Sequence, residues 1–164
     1  MEKQHEYLME TYFQEKEVSK RNEILRQLLL DMPVNAIDFF LKVFKKERYL
    51  DMKLRAVRGY AVYAAEEEVS TLMNKLLELL KKRPEKTPYN YTEYEPMCSA
   101  FLMKYLLKHY DYECFRVFNI QLEKQYNDMP DCFKNIFTID ELGNVCTIRD
   151  KEEVEKSWQD FSRQ

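Results

Sequence analysis

Apolar residues recur at every third and fourth position through most of this chain, a spacing that gathers them on one face of an α-helix. The spacing predicts a first helix over 3–15, with Tyr7, Leu8, Tyr12 and Phe13 on its buried side. A second, over 17–31, carries Ile24, Leu25, Leu28 and Met32. Pro33 suits a helix first turn, where no N–H is needed, so a third is expected over 33–48 with Ile37, Phe40, Leu41 and Phe44 inward. Asp51 is the expected N-cap of a helix over 52–65. Its stripe is Leu54, Val57, Ala61 and Ala64, whose small members let a neighbouring helix approach closely. Residues 67–82 have the strongest period, through Val69, Leu72, Met73, Leu76, Leu79 and Leu80. The stop comes at Lys81-Lys82-Arg83-Pro84, cations then proline. Beyond an interior loop at 84–95, Pro96 opens a helix over 96–110 bearing Phe101, Leu102, Tyr105 and Leu106. Asp111 then caps a helix over 112–127 bearing Phe115, Phe118 and Leu122.

Few residues separate successive helices, so neighbours are expected to run antiparallel. The fold class is all-α: one domain, 1–164, of stacked helical hairpins at 17–48, 52–82 and 96–127 with a carboxy-terminal cap at 130–164. In that cap, 137–149 alternates around a Gly-Asn turn and fits a small β-hairpin, while 131–142 also fits a helix. Asp150-Lys151-Glu152-Glu153 makes a capping box for a closing helix, about 151–162, with Val154, Trp158 and Phe161 on one face.

Asp51-Met52-Lys53-Leu54-Arg55-Ala56-Val57, followed by Ala61 and Ala64, resembles a HEAT-type repeat: an acidic cap, an apolar residue, an arginine and small packing residues. The resemblance implies a short solenoid in which Asp51 and Arg55 bridge adjacent repeats. Glu17-Val18-Ser19-Lys20-Arg21 echoes it, and the third hairpin has no comparable arginine. Helical repeats are scaffolds for binding rather than for one chemistry.

Composition narrows the function classes. With two glycines, Gly59 and Gly143, a backbone cradle for phosphate is nearly excluded. Four cysteines (Cys98, Cys114, Cys132, Cys146) lie 14 to 18 residues apart without a CxxC, and the only histidines are His5 and His109, so no zinc site is expected. Glu2-x-x-His5 is half of a di-iron motif, but Leu106 stands where a second copy needs glutamate before His109. A catalytic Cys98 or Cys114 would have His109 alone as its base. The expectation is a binding protein, not an enzyme, with no cofactor and no metal. No apolar run is long enough to span a bilayer and the start lacks a secretory signal, so a cytoplasmic location with free thiols is expected and a membrane is not.

Charge and tyrosine point to a surface. The net charge is −3, but residues 1–86 carry 17 Lys/Arg against 15 Asp/Glu and residues 87–164 carry 9 against 14. Tyr89, Tyr91, Glu93, Tyr94 and Glu95 cluster in the loop, and Tyr110, Asp111, Tyr112 and Glu113 at a helix turn. Tyrosine is enriched in interface centres, and carboxylates around it steer a basic partner. The alternative is an ordinary solvated acidic surface. Size, helical architecture and acidity together resemble bacterial immunity proteins, which implies a toxin-neutralising partner-binding role: the Tyr/acidic surface would cover the basic active site of a toxin domain. A rival expectation is nucleic-acid binding along a basic groove of Arg48, Arg55, Arg58 and Arg83, against which stand Glu47, Asp51 and Glu66 to Glu68.

Overall fold

The computed structural model describes residues 2–83, 94–126, 137–139 and 145–147, with Lys156 and Gln159 as isolated positions. Seven α-helices run through the described residues: α1 (Glu2–Gln14), α2 (Val18–Asp31), α3 (Ile37–Lys46), α4 (Leu50–Tyr63), α5 (Glu66–Lys81), α6 (Tyr94–His109) and α7 (Glu113–Tyr126). Phe137–Ile139 (β1) and Val145–Thr147 (β2) pair antiparallel, Phe137 opposite Thr147, and both lie against α6. This is a helical protein, compatible with a helical repeat. No helix among the described residues is long and apolar enough to cross a membrane. The expected closing helix over 151–162, with Val154, Trp158 and Phe161, lies outside the described residues but for Lys156 and Gln159, as do Cys132 and the helical reading of 131–142 up to residue 136.

The chain forms two compact units, Met1–Leu72 and Met73–Gln164, and the boundary falls within α5. In the first unit α4 is the central element: Leu54, Ala56 and Val57 have no exposed surface, and burial extends from Leu50 to Ala61 except at Asp51 and Lys53. Its principal neighbour is α3, α2 also lies against it, and α1 packs on α2. The expected pairing of α2 with α3 is therefore corrected: the closest helix pair is α3 with α4. The cause is Gly59. A Cβ there would run into the Phe40 ring, so only glycine lets α3 approach this closely.

The turn before α3 also departs from expectation. Pro33 does not start that helix. Met32 sits at φ 45° and gives its N–H to Leu28 O, and Asn35 sits at φ 59°, so the chain turns through two left-handed residues and helix resumes at Ile37. The Tyr63 hydroxyl donates to the Pro33 carbonyl across the unit and holds that turn. Asp51 is not a cap either; α4 begins at Leu50 after Tyr49, with no side-chain cap bond. It lies in the first turn and its Oδ2 takes a bond from Arg55 Nη1 at 2.8 Å, four residues on within the same helix. Tyr7, expected inside, is 66% exposed, because only Tyr12 on α1 reaches the core.

Tyr12 ends in a buried polar cluster that ties four segments together. Its hydroxyl donates to Glu47 Oε1 at 2.5 Å, and Arg21 Nε donates to the same oxygen at 2.8 Å. Arg21 Nη1 also reaches the carbonyls of Glu15 and Lys16, so one guanidinium fastens the α1–α2 link, α2 and the end of α3. Burial first, and Glu47 second, hold the Tyr12 hydroxyl well above the usual tyrosine range, with Arg21 opposing. Burial raises Tyr60 and Tyr63 in the same direction. A tyrosine raised on folding contributes its stability in full below about pH 10, the unfolded value, and loses it as pH climbs towards the folded value. Urea melts between pH 9 and 11.5 are thus expected to show stability falling with pH, with a shallower fall in Tyr12→Phe. Equal slopes would remove Tyr12 from the account.

Candidate functional site

In the second unit α6 and α7 are joined by Tyr110, Asp111 and Tyr112 and packed side by side. Periodicity fixes which faces meet: Leu102, Met103 and Leu106 of α6 and Phe115, Phe118 and Leu122 of α7 are buried. Gln125 locks α7 to the end of α5, its Nε2 donating to the Leu80 carbonyl at 2.9 Å, which also takes the Arg83 N–H at 3.1 Å, and to the Arg83 carbonyl at 3.3 Å just past the helix. Arg83 in turn makes a bidentate pair with Glu95, at 2.8 and 3.2 Å, which pins the two flanks of residues 84–93 to each other.

The corner between the helices is aromatic. Tyr110 and Tyr112 lie 5.3 Å apart by ring centroid, and both rings meet Phe115, at 5.9 and 5.4 Å. Phe115 is fully buried and the tyrosines are half-buried, so a rigid base supports two rings that reach the surface. Beside them the Asp111 side chain is 98% exposed and that of Glu113 74%. Arg116 bonds both, through Nη1 to Asp111 and through Nε and Nη2 to Glu113. On α6, the His109 ring lies against Tyr105, centroids 4.3 Å apart and planes tilted by 38°.

Between the two helices runs an open groove of about 260 Å³. Its walls are largely apolar, with Met97, Phe101 and Leu107 facing Leu122 and Tyr126, and its rim carries Lys104, Asn119 and Glu123. That mix suits apolar side chains of a ligand with a few polar anchors.

Comparison with protein-family models, curated proteins and solved structures gives no match.

Of the nine residues expected in the interface, Tyr110, Asp111, Tyr112 and Glu113 come together at the corner. Tyr89, Tyr91 and Glu93 lie outside the described residues, and Tyr94 opens α6. Glu95 does not contribute to an acidic surface: it is 6% exposed and bound to Arg83. Arg116 is the residue the expectation missed, although its position three after Glu113 was a legible signal. Charge is also placed differently. From 94 to 126 four acidic residues face four basic ones, and the acidic excess belongs to Glu93 and to residues 127–164.

The four arginines of the expected basic groove are placed as follows. Arg55 and Arg58 are each 6% exposed within the first unit, Arg55 on Asp51, and Arg83 is held by Glu95. Only Arg48 of the four is exposed. His5 lies 3.5 Å from Asp31; Cys98 is buried and Cys114 half-buried. Among the described residues no three His, Cys, Asp or Glu side chains are grouped to hold a metal ion.

Proposed function

We propose that the chain is a protein-binding module that presents the α6–α7 corner to its partner. The observation that carries this reading is the Tyr110–Tyr112–Phe115 cluster, standing between exposed carboxylates at one end of a helix pair that also carries an open apolar groove along its length. Half-buried aromatic rings on a rigid base give a large contact area with little ordering cost, the usual makeup of interface hot spots. In its most concrete form the module is a toxin-neutralising immunity protein built on HEAT-like hairpins, acting by occlusion of a basic site. The acidic excess in Glu93 and 127–164 supports a basic partner, whereas the corner, with Arg116 on both its carboxylates, supplies shape and aromatic contact.

The test is quantitative capture from the source cell. Tyr110→Ala with Tyr112→Ala is expected to lower recovery of a partner about tenfold, the effect of losing one or two hot-spot side chains. Asp111→Lys, at a position that touches no core, separates loss of contact from loss of fold. Unchanged recovery by both variants would move the binding surface elsewhere.

A further inference from the structure

The outer face of α7 carries a pattern that the packing of its own unit leaves unused. Phe115, Phe118, Leu122 and Gln125 turn inward, while Val117 and Ile120 are 40% and 66% exposed. At about 100° per residue, Glu113, Val117, Ile120 and Lys124 fall on one line opposite that inward face. Their spacing of four, three and four residues is that of a helix–helix seam. Arg116 and Glu123, both exposed, run along one side of the line.

Reversed, the pattern is its own complement. Two α7 helices laid antiparallel about a two-fold axis between residues 118 and 119 set Val117 against Ile120 twice and Glu113 against Lys124 twice. Such an axis brings the same flank of each helix together, so Arg116 meets Glu123, again twice. The parallel arrangement would instead put Glu113 on Glu113 and Lys124 on Lys124, with like charges in contact. Arg116 already bonds Glu113 and Asp111 in the single chain, but exposed pairs of this kind contribute little and exchange partners at small cost.

We propose that the outer face of α7 is a self-association surface, and that its occupant is α7 of a second copy in antiparallel, two-fold register. An interface in which each patch meets itself is the commonest oligomeric arrangement. Three turns of helix make a small contact, so the dimer is a weak one, with a dissociation constant on the order of 100 µM. This does not rest on the partner-binding reading above, since neither tyrosine of the corner lies on the seam.

Sedimentation equilibrium of the full chain from about 5 to 500 µM at low salt tests it. The expected result is a monomer–dimer equilibrium that Ile120→Glu weakens at least tenfold. Glu113→Lys is expected to weaken it several-fold, and Glu113→Lys with Lys124→Glu to restore it to within about threefold of the native chain. All of these positions are exposed, and circular dichroism confirms folding. A chain that stays monomeric throughout, or a dimer indifferent to Ile120→Glu, overturns the proposal. A double reversal no tighter than the single one overturns the antiparallel register.

Discussion

Replacing Glu47 with alanine is expected to destabilise the first unit by about 3 kcal/mol, the lower end of what breaking a buried ion pair costs. Glu47 is 6% exposed and its carboxylate receives both the Tyr12 hydroxyl and the Arg21 guanidinium. Without it Arg21 stays largely buried with its carbonyl partners alone, and Tyr12 keeps a buried hydroxyl with no acceptor on α3. Lys53, whose amine is pulled below its usual value by burial and supported by the Glu47 charge, loses that support as well. Glu47→Gln preserves shape and an acceptor and should lose about half as much. Tyr12→Phe removes one hydrogen bond and leaves the ion pair, for about 1–2 kcal/mol. Urea melts followed by circular dichroism measure all three; at typical slopes Glu47→Ala should shift the midpoint by 1 M or more. A loss below about 1 kcal/mol would mean that the cluster does not hold these segments together.

Of that cluster only the burial of Tyr12 was legible in the sequence, and the reason is general. Apolar periodicity identifies a helix and its inward face, and it located α1 to α7 closely, because burial of the stripe is what stabilises each helix. A charged residue carries no comparable mark of where it ends up. Glu47, Arg55 and Arg58 read as solvated charges of a surface, yet all three are buried. The turn at 32–36 escaped for a related reason: its left-handed residues, Met32 and Asn35, have no local glycine to announce them, and the Tyr63 bond that holds the turn comes from thirty residues away.

The candidate site was legible in part. Tyr110, Asp111, Tyr112 and Glu113 stood out because tyrosine and acid alternate at a helix boundary. Arg116 and the Arg83–Glu95 pair did not, because counting acids over half the chain hides which carboxylate has a guanidinium within one helical turn or across a link. Pairing, not the count, decides what a surface offers: Asp111 and Glu113 face solvent with a cation between them, and Glu95 is turned into the fold.

The most instructive single substitution is at Gly59, where two physical effects oppose each other. In a helix interior, glycine to alanine ordinarily gains about 1 kcal/mol. Here the added methyl would occupy the space of the Phe40 ring, which is fully buried and fixed by an edge contact to Phe39 at 5.2 Å and by stacking on Tyr63 at 6.4 Å. A ring so confined cannot swing aside, so α3 must move away from α4, and overpacking of this kind costs about 1–3 kcal/mol or more. Steric cost therefore outweighs propensity: Gly59→Ala should destabilise by about 1–2 kcal/mol, and the branched Gly59→Val by more than about 3. The decisive measurement is a double-mutant cycle with Phe40→Leu, which shortens the side chain at the point of collision. In that background Gly59→Ala should be neutral or stabilising, a change of sign that only relief of the clash produces. If Gly59→Ala stabilises the native chain, the close approach of α3 to α4 at Gly59 is not a constraint on this fold.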